Sequence, residues 1–276
     1  MKKGRKQMRF AVLTNKDRDS DLSVTEKIVF CLSSLGAECA VVSSPSAFSS
    51  VVADCNAAVT VGGDGTILAI AQTAARAGCP VIGVNKGKLG YLAALEPDGT
   101  DELARLVTGD YFLEDRMMIK ASVKSPDAEN EYYALNDIVV THDSVLKLTD
   151  IELSCDGYDI AHYRADGIIF STPTGSTAYS LSAGGPVTDP AIRAVIVTPI
   201  CAHTLSSRPV IFNDGAVLSV RGASRENDFL RLYADGGEGV SLPNNTSVTI
   251  SRSPFSLKLI RFSSNSFYNI LSKKIH

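Results

Sequence analysis

The sequence predicts an α/β N-terminal domain with an open parallel sheet, followed by a mostly antiparallel, sandwich-like β domain. Apolar runs alternate with helical segments up to about residue 110, whereas strand-like stretches separated by turns follow from Arg116 onward. The chain has 276 residues, 45% of them hydrophobic and 21% charged, as is typical of one large or two modest globular domains. We place the domain boundary near Leu113, where the pattern changes.

The first half shows the alternation of strands and helices that builds parallel sheets. Apolar residues at Val24, Ile28, Leu32 and Leu35 share one face of a helix. Short apolar or alternating runs predict the strands between the helices. Strands are predicted at 9–14, 38–42, 57–61 and 80–84, and helices at 24–35, from about Thr66 to Ala77 with Gly78 as its stop, and at about 101–107.

A glycine-rich turn, Gly62-Gly63-Asp64-Gly65-Thr66, follows the third predicted strand. Because glycine tolerates positive φ, we expect successive N–H groups here to form an anion-binding nest. A helix that starts near Thr66 would add its positive dipole end. Ligands of open parallel sheets bind beyond the carboxyl ends of the strands, so the turn is predicted to bind phosphate.

Asp64 is out of place in a pure phosphate site. Its carboxylate would repel phosphate unless it bound a metal ion or accepted a hydrogen bond from a substrate hydroxyl. Asp64 is therefore the first catalytic candidate. The alternative is an ordinary turn with a solvated aspartate, and the tetrapeptide alone does not decide between the two.

A second glycine-bearing loop, residues 85–92, follows the next predicted strand and is expected to flank the same crevice. It carries Lys86 and Lys88. These lysines either neutralise phosphate or are solvated surface charges.

The second half is rich in short strands and turns, as is typical of antiparallel sheets. Ser125-Pro126-Asp127 and Cys155-Asp156-Gly157 have the composition of hairpin turns. Strands are predicted at 117–123, 132–141, 151–155, 167–171, 194–198, 217–220, 230–234 and 248–250, and a final helix at 267–275.

One segment of the second half, residues 166–186, is unusually dense in hydroxyl groups. After Asp166 it carries no charge until Asp189. Thr177 is expected to cap a short helix that Gly184 ends. Uncharged donors and acceptors beside Tyr179 suit a nucleobase and a ribose better than a phosphate.

Composition excludes several classes of partner. The net charge of −3 gives no general attraction to nucleic acid or to an anionic membrane, and no run approaches the roughly 18 apolar residues of a membrane span. The six cysteines form no C-x-x-C pair, which favours buried thiols in a reducing cytoplasm. No histidine has a partner at metal-ligand spacing, so no protein-borne metal site is predicted.

Three blocks of the sequence resemble the NAD kinases, which use ATP to phosphorylate the 2'-hydroxyl on the adenosine ribose of NAD. The first block is shared with lipid and diacylglycerol kinases, whereas the third, with Thr-Pro-Thr-Gly-Ser-Thr-Ala-Tyr, is specific. Further similarity lies at 84–92 and 199–209, so the resemblance covers most of the chain. The blocks are Gly62 to Thr66, Leu135-Asn136-Asp137, and Tyr163 to Pro186.

The resemblance implies a role for individual residues. Asp64 would lie beside the 2'-hydroxyl as base or orienting acceptor. Asp137 stands where the family usually has glutamate, one methylene longer, and is expected to reach its ribose hydroxyl through water. The other implied substrate-binding residues are Gly62, Gly63, Gly65 and Thr66 at the phosphates, Asn136 at the adenine, Thr177, Ala178, Tyr179 and Ser182 around the adenosine, Asp166 at the nicotinamide amide with Arg164 close by, and Thr174 and Lys147.

The resemblance also implies the setting of the reaction. It implies NADP biosynthesis in the cytoplasm with Mg²⁺ and with ATP, or alternatively polyphosphate, as donor, by a homodimer or homotetramer. The resemblance further implies that a C-terminal helix at about 255–276 packs on the first domain. The first domain would then comprise residues 1–113 and 255–276, and the second residues 114–254. Two alternatives stay open: a lipid or diacylglycerol kinase of the same superfamily, and a dinucleotide-binding sensor without turnover.

Overall fold

A computed structural model describes residues 7–87, 90–124, 129–142, 149–203, 207–223, 230–242, 246–263 and 266–275. The chain divides into two compact units. The first unit comprises Met1–Asp115 and Ser256–His276, and the second comprises Arg116–Phe255. The α/β class of the first unit and the antiparallel β class of the second confirm the predicted fold class.

The first unit is built on a parallel sheet whose inner strands are almost entirely buried. Burial on both faces is the rule for parallel sheets, because helices cover both sides. The strands are β1 (Arg9–Thr14), β2 (Glu38–Val42), β3 (Ala57–Gly62) and β4 (Val81–Asn85), in the spatial order β2-β1-β3-β4, and the end of the last strand, β16 (Ser247–Arg261), pairs with β4 at Leu259 and Val81.

The helices predicted at 24–35 and from about Thr66 to Ala77 lie close to their predicted positions, whereas the helix at 45–51 was not predicted and the one predicted at 101–107 spans 104–108. Val24, Ile28 and Leu32 are buried as the periodicity predicts, but Leu35 is 48% exposed because its helix ends at Ser34. The helices of this unit are α1 (Ser23–Ser34), α2 (Pro45–Val51), α3 (Asp64–Ala77), α4 (Ala104–Thr108) and α6 (Ser266–Ile275), whereas α5 (Tyr179–Ser182) belongs to the second unit.

The C-terminal helix, Ser266–Ile275, confirms the pattern-based prediction of 267–275 but begins later than the start at about 255 that the resemblance implies. Residues 255–261 continue strand β16, and only the part from Ser266 onward is helical. In the first unit α6 contacts Tyr91: the rings of Tyr91 and Phe267 lie 6.2 Å apart, and Lys274 Nζ lies 4.1 Å from the Tyr91 ring centroid. The predicted return of this helix to the first unit is therefore confirmed, with a shorter helix.

The second unit is a sandwich of two sheets. One sheet has the antiparallel order β12-β11-β10-β7-β14-β15, and the other contains β16, β13, β8 and β9 together with β5 and β6. Buried side chains such as Ile138, Phe170 and Leu218 form the core between them. The strands are β5 (Phe112–Lys124), β6 (Glu129–Ala134), β7 (Asp137–His142), β8 (Thr149–Cys155), β9 (Tyr158–Ala165), β10 (Gly167–Ser171), β11 (Ala194–Ile200), β12 (Val210–Asn213), β13 (Leu218–Ala223), β14 (Leu230–Ala234) and β15 (Val240–Leu242).

Two differences from the predicted strands matter for the site. The single strand expected at 132–141 is two strands, β6 and β7, separated by Leu135 and Asn136. Strands β9, β12 and β15 were not predicted, because their alternating or short sequences carry little apolar signal. The Cys155-Asp156-Gly157 hairpin turn is confirmed, with positive φ at Asp156 and Gly157, whereas Ser125-Pro126-Asp127 lies outside the described residues.

The cysteines are free thiols, but only one of them is buried. Burial raises the pKa of the Cys79 thiol to about 12, whereas Cys201 is exposed and the other four are partly exposed. The expectation of buried thiols is therefore confirmed only for Cys79. In the part of the chain that the structure describes, no helix is long and apolar enough to cross a membrane.

Candidate active site

The glycine-rich turn of the first unit joins β3 to α3 without left-handed backbone. Gly62, Gly63 and Gly65 all have φ outside the positive region, so the predicted nest of N–H groups with positive φ is wrong. Helix α3 begins at Asp64, two residues before the predicted start. Gly62 is needed for another reason: a Cβ there would overlap the hydroxyl of Thr66. The N-terminus of α3 therefore supplies the anion-attracting end that the sequence predicted.

Asp64, the first residue of α3, is held by the loop that follows β4. Its carboxylate accepts hydrogen bonds from the backbone N–H groups of Tyr91 at 2.7 Å, Leu92 at 3.1 Å and Ala93 at 3.3 Å. Gly90 permits this approach, because a Cβ at that position would overlap the Asp64 carboxylate. Asp64 is thus a half-buried, oriented side chain rather than a solvated turn residue.

Lys86, one of the candidate phosphate-binding lysines, forms ion pairs within the first unit. Its Nζ lies 2.7 Å from Asp19 Oδ1 and 3.1 Å from Asp21 Oδ1. Desolvation of the buried Asp19 raises its pKa, but hydrogen bonds from Lys86, Thr25 and Val24 lower it to about 2. Two carboxylates therefore offset the charge of Lys86.

In the second unit, Asp235 holds the loop that contains Asn136 and Asp137. The Asp235 carboxylate accepts the backbone N–H groups of Leu135 at 2.7 Å, Asn136 at 2.7 Å and Asp137 at 3.1 Å. Asp235 has a positive φ of 49° directly after β14, and Gly236 continues the turn. Asp235 is not among the predicted binding residues, although an Asp-Gly pair after a strand was a usable signal.

Asp137, the first residue of β7, is a buried acid with a perturbed pKa. It is 6% exposed. Desolvation, and after it the negative charge of Asp235, raises the pKa of Asp137 to about 7. Desolvation also raises the pKa of Asp235, although its three N–H donors oppose the shift. Asp137 therefore changes protonation near neutral pH.

The hydroxyl-rich turn after β10 packs on the same loop. Thr172 donates from its N–H to the Asn136 carbonyl at 2.8 Å and from its hydroxyl to the Leu135 carbonyl at 2.6 Å. A Cβ at Gly175 would overlap the backbone of Asn136, so glycine is required there. The backbones of the second and third sequence blocks are thus in direct contact.

The short helix in this turn is not capped as predicted. Residues 175–177 form a 3-10 turn, and Ala178 rather than Thr177 precedes α5. Thr177 instead donates from its hydroxyl to the Thr174 carbonyl at 3.4 Å. The Thr174 hydroxyl is buried and accepts a hydrogen bond from the buried Arg116 at 3.3 Å.

Several other candidates surround this turn. Tyr179 is 46% exposed, and its pKa is raised first by partial desolvation and then by the negative charges of Cys201, Asp166 and Asp137. Asp166 lies half-buried between β9 and β10, and its charge, like that of Asp137, acts on Tyr179.

Two of the remaining candidates are exposed at the surface. Ser182 is exposed at the end of α5, and Arg164 is exposed on β9, two residues before Asp166. Lys147 lies outside the described residues.

Comparisons with known proteins decide the family. Residues 10–111 match the family model of the ATP-NAD kinase N-terminal domain, and residues 135–262 match that of the C-terminal domain. The chain is 41% identical to an NAD kinase of Symbiobacterium thermophilum over 219 residues, which are 79% of this chain and 77% of the relative. The chain belongs to the NAD kinase family.

Further NAD kinases agree with this assignment. An NAD kinase of Carboxydothermus hydrogenoformans is 39% identical over 79% of this chain and 78% of its own length. The crystal structure of an NAD kinase from Archaeoglobus fulgidus in complex with ATP has 30% identity and a TM-score of 0.81, and the match covers 96% of this chain and 98% of that one. A yeast NADH kinase complexed with NADH shares the fold, with a TM-score of 0.85 at 21% identity over 99% of this chain and 88% of that one.

Membership of the NAD kinase family bears on the alternatives. It makes the chain a phosphotransferase that acts on NAD with ATP as donor. Neither a lipid kinase nor a sensor without turnover is favoured.

Proposed function

We propose that Asp64 is the general base of this NAD kinase family member, accepting the proton of the adenosine 2'-hydroxyl of NAD. The hydroxyl oxygen forms a bond to the γ-phosphorus of ATP, the bond from that phosphorus to the bridging oxygen breaks, and ADP leaves as NADP forms. The observation that carries the proposal is the Asp64 carboxylate, oriented by three backbone N–H groups at the N-terminus of α3.

The chemistry of Asp64 fits this role. A carboxylate offers about four lone-pair sites, and three donors leave room for a substrate hydroxyl. Phosphoryl transfer requires little more from the protein than alignment of the two oxygens and stabilisation of charge. The dipole at the N-terminus of α3, with Gly62, Gly63, Gly65 and Thr66 around it, favours the donor phosphates.

We assign the NAD contacts to the second unit. Asn136 and Asp137 share one loop, and the turn that carries Thr174, Thr177 and Ala178 rests on that loop. Asn136 would contact the adenine, and Asp137 the ribose hydroxyl. The remaining proposed contacts are Thr174, Thr177, Ala178, Tyr179 and Ser182 around the adenosine and Asp166 with Arg164 at the nicotinamide, and Lys147 is still a sequence-based prediction.

Mg²⁺ is proposed as the metal that accompanies ATP. In the described ranges, no three His, Cys, Asp or Glu side chains come together as metal ligands. Mg²⁺ in kinases usually keeps several waters and is held by substrate phosphates with one or two carboxylates. The residues present therefore fit an ion that arrives with the nucleotide and neutralises the charge of its phosphates.

We also propose a homodimer or homotetramer that makes NADP in the cytoplasm. Exposed apolar side chains support association: Tyr158 is 76% exposed, Ile160 44% and Ile211 53%. The free cysteines agree with a reducing compartment. Light scattering coupled to gel filtration measures the oligomer, and a monomer at micromolar concentration would contradict this part of the proposal.

The decisive experiment follows NADP formation from NAD by the purified protein with Mg²⁺. ATP and polyphosphate serve as separate donors, and Asp64→Asn is compared with Asp98→Asn, an exposed aspartate of the same unit. We expect product with wild type and Asp98→Asn but very little with Asp64→Asn. Wild-type activity in Asp64→Asn would remove Asp64 from the mechanism, and NAD binding without ATP consumption by wild type would favour the sensor.

A further inference from the structure

Arg261, a second charged side chain of the first unit, forms hydrogen bonds with the loop that orients Asp64. Arg261 is the last residue of β16 and only 4% exposed. Its Nη1 donates to the Leu92 carbonyl at 2.7 Å and its Nη2 to the Tyr91 carbonyl at 3.4 Å. Its Nε donates to Glu114 at 2.8 Å, which supplies the counter-charge that a buried guanidinium needs.

Two successive peptide groups connect Arg261 to Asp64. The peptide between Tyr91 and Leu92 accepts from Arg261 through its oxygen and donates to Asp64 through its N–H at 3.1 Å. The next peptide, between Leu92 and Ala93, does the same, with its N–H 3.3 Å from Asp64. A cation on the oxygen side and an anion on the N–H side polarise each peptide in the same direction, which strengthens both hydrogen bonds.

We propose that Arg261 is a positioning residue for phosphoryl transfer, fixing the direction of the Asp64 carboxylate through these two peptide groups. The inference rests on the proposed role of Asp64. Arginine suits the position because its planar fork bonds two carbonyls while Nε stays on Glu114. The ammonium of a lysine is a single point of charge and cannot keep all three contacts in one geometry.

The proposal predicts that replacing Arg261 changes kcat but not KM. Arg261 orients the base rather than the substrate, so its replacement lowers kcat and leaves the KM for NAD within about twofold. Misplacing a reacting group by about 1 Å costs up to about 100-fold. We expect kcat to fall about 10- to 100-fold in Arg261→Lys.

The test uses two variants and a matched control. Arg261→Lys keeps a positive charge, and Glu114→Gln keeps the guanidinium but removes its charged partner. Arg105→Lys is the control. Arg105 forms ion pairs with Glu102 and Asp110 in the same unit and contacts Phe262 beside Arg261, but among the described residues it makes no hydrogen bond to the 90–93 loop. We expect a smaller loss in Glu114→Gln and none in Arg105→Lys. If Arg261→Lys does not fold, the kcat of Glu114→Gln is used to test the proposal instead.

A double-mutant cycle shows whether Arg261 acts through Asp64. In the Asp64→Asn background, Arg261→Lys should reduce the remaining kcat by less than threefold, because no base is left to position. If both single variants are impaired and their losses multiply in the double variant, Arg261 acts elsewhere and the inference is overturned. If Asp64→Asn itself keeps the wild-type kcat, the proposed role of Asp64 fails and the catalytic role of Arg261 fails with it.

Amide hydrogen exchange tests the contact independently of turnover. The N–H groups of Tyr91, Leu92 and Ala93 should exchange faster in Arg261→Lys than in wild type or Arg105→Lys, because the loop loses one of its two anchors. Unchanged protection at all three amides would overturn the inference, whatever the fate of Asp64 in the kinase assay.

Discussion

Asp64 in the first unit and Asp235 in the second share one arrangement: each carboxylate accepts three consecutive backbone N–H groups from a neighbouring loop. Their surroundings are opposite in charge. A buried cation, Arg261, lies across the loop from Asp64, whereas a second carboxyl, Asp137, lies beside Asp235. The same motif thus orients a half-exposed carboxylate, the proposed base, in one unit and fixes the 135–137 loop in the other.

The largest effect on activity is expected at Asp64. Asp64→Asn keeps an acceptor oxygen for the loop but loses the base, and general-base help contributes on the order of 100- to 10,000-fold. We expect kcat to fall by that factor while the chain keeps its fold, with a lower melting temperature because the amide NH2 faces at least one of the three N–H donors. Steady-state NADP formation measures kcat, and calorimetry measures the melting temperature. A kcat within threefold of wild type would show that Asp64 does not differ from Asp235 by acting as a base.

At Asp235 we expect the larger effect on stability. Asp235→Ala leaves three N–H donors without their acceptor, and each buried unsatisfied donor costs about 1–3 kcal/mol. The free energy of unfolding should fall by on the order of 3 kcal/mol, and the KM for NAD should rise as the 135–137 loop loosens. Urea denaturation measures the free energy of unfolding. Equal stability of Asp235→Ala and wild type would show that the 135–137 loop keeps its conformation without Asp235.

Gly90 tests whether the approach of the loop to Asp64 is needed. In Gly90→Ala the new methyl group overlaps the Asp64 carboxylate, which must turn away. We expect kcat to fall about 10- to 100-fold. Gly99→Ala is the control, since a Cβ there would lie 3.4 Å from Leu95 Cδ2 in ordinary contact, and similar kinetics in both variants would argue against a role for the close approach.

Asp137 is expected to cause a pH dependence of stability that is small per pH unit. The folded chain holds the Asp137 proton up to a pKa of about 7, whereas the unfolded chain releases it near 3.8. The folded state therefore binds more protons in this range, so its stabilisation is complete below about pH 4 and is lost as the pH rises toward 7. The decrease should be at most about 1.4 kcal/mol per pH unit.

Asp137→Asn provides the control for this pH dependence, because its amide does not titrate. Unfolding by urea at pH 5, 6, 7 and 8 should show a smaller slope in Asp137→Asn than in wild type. Asp19 does not interfere, since its pKa of about 2 lies below this range. Identical slopes in the two proteins would assign the pH dependence to other groups.

The elements that the sequence predicted best are those with a strong local signal. Strands β1 and β2 and the end of α3 at Gly78 lie where the apolar runs and the glycine stop predicted. Strands β9 and β12 were missed because their exposed sequences resemble loops. The start of α3 was placed two residues late, because the glycines of the turn conceal a helix that already includes Asp64.

The sequence by itself determined the fold class, the family and the candidacy of Asp64, because apolar periodicity, glycine punctuation and short motifs are local properties of the chain. Only the tertiary structure decided how Asp64 and the 135–137 loop are held. Arg261 meets Leu92 across 169 residues, and Asp235 meets Leu135 across 100. No local pattern encodes such pairs, because hydrogen bonds between distant segments form only once the sheets bring them together.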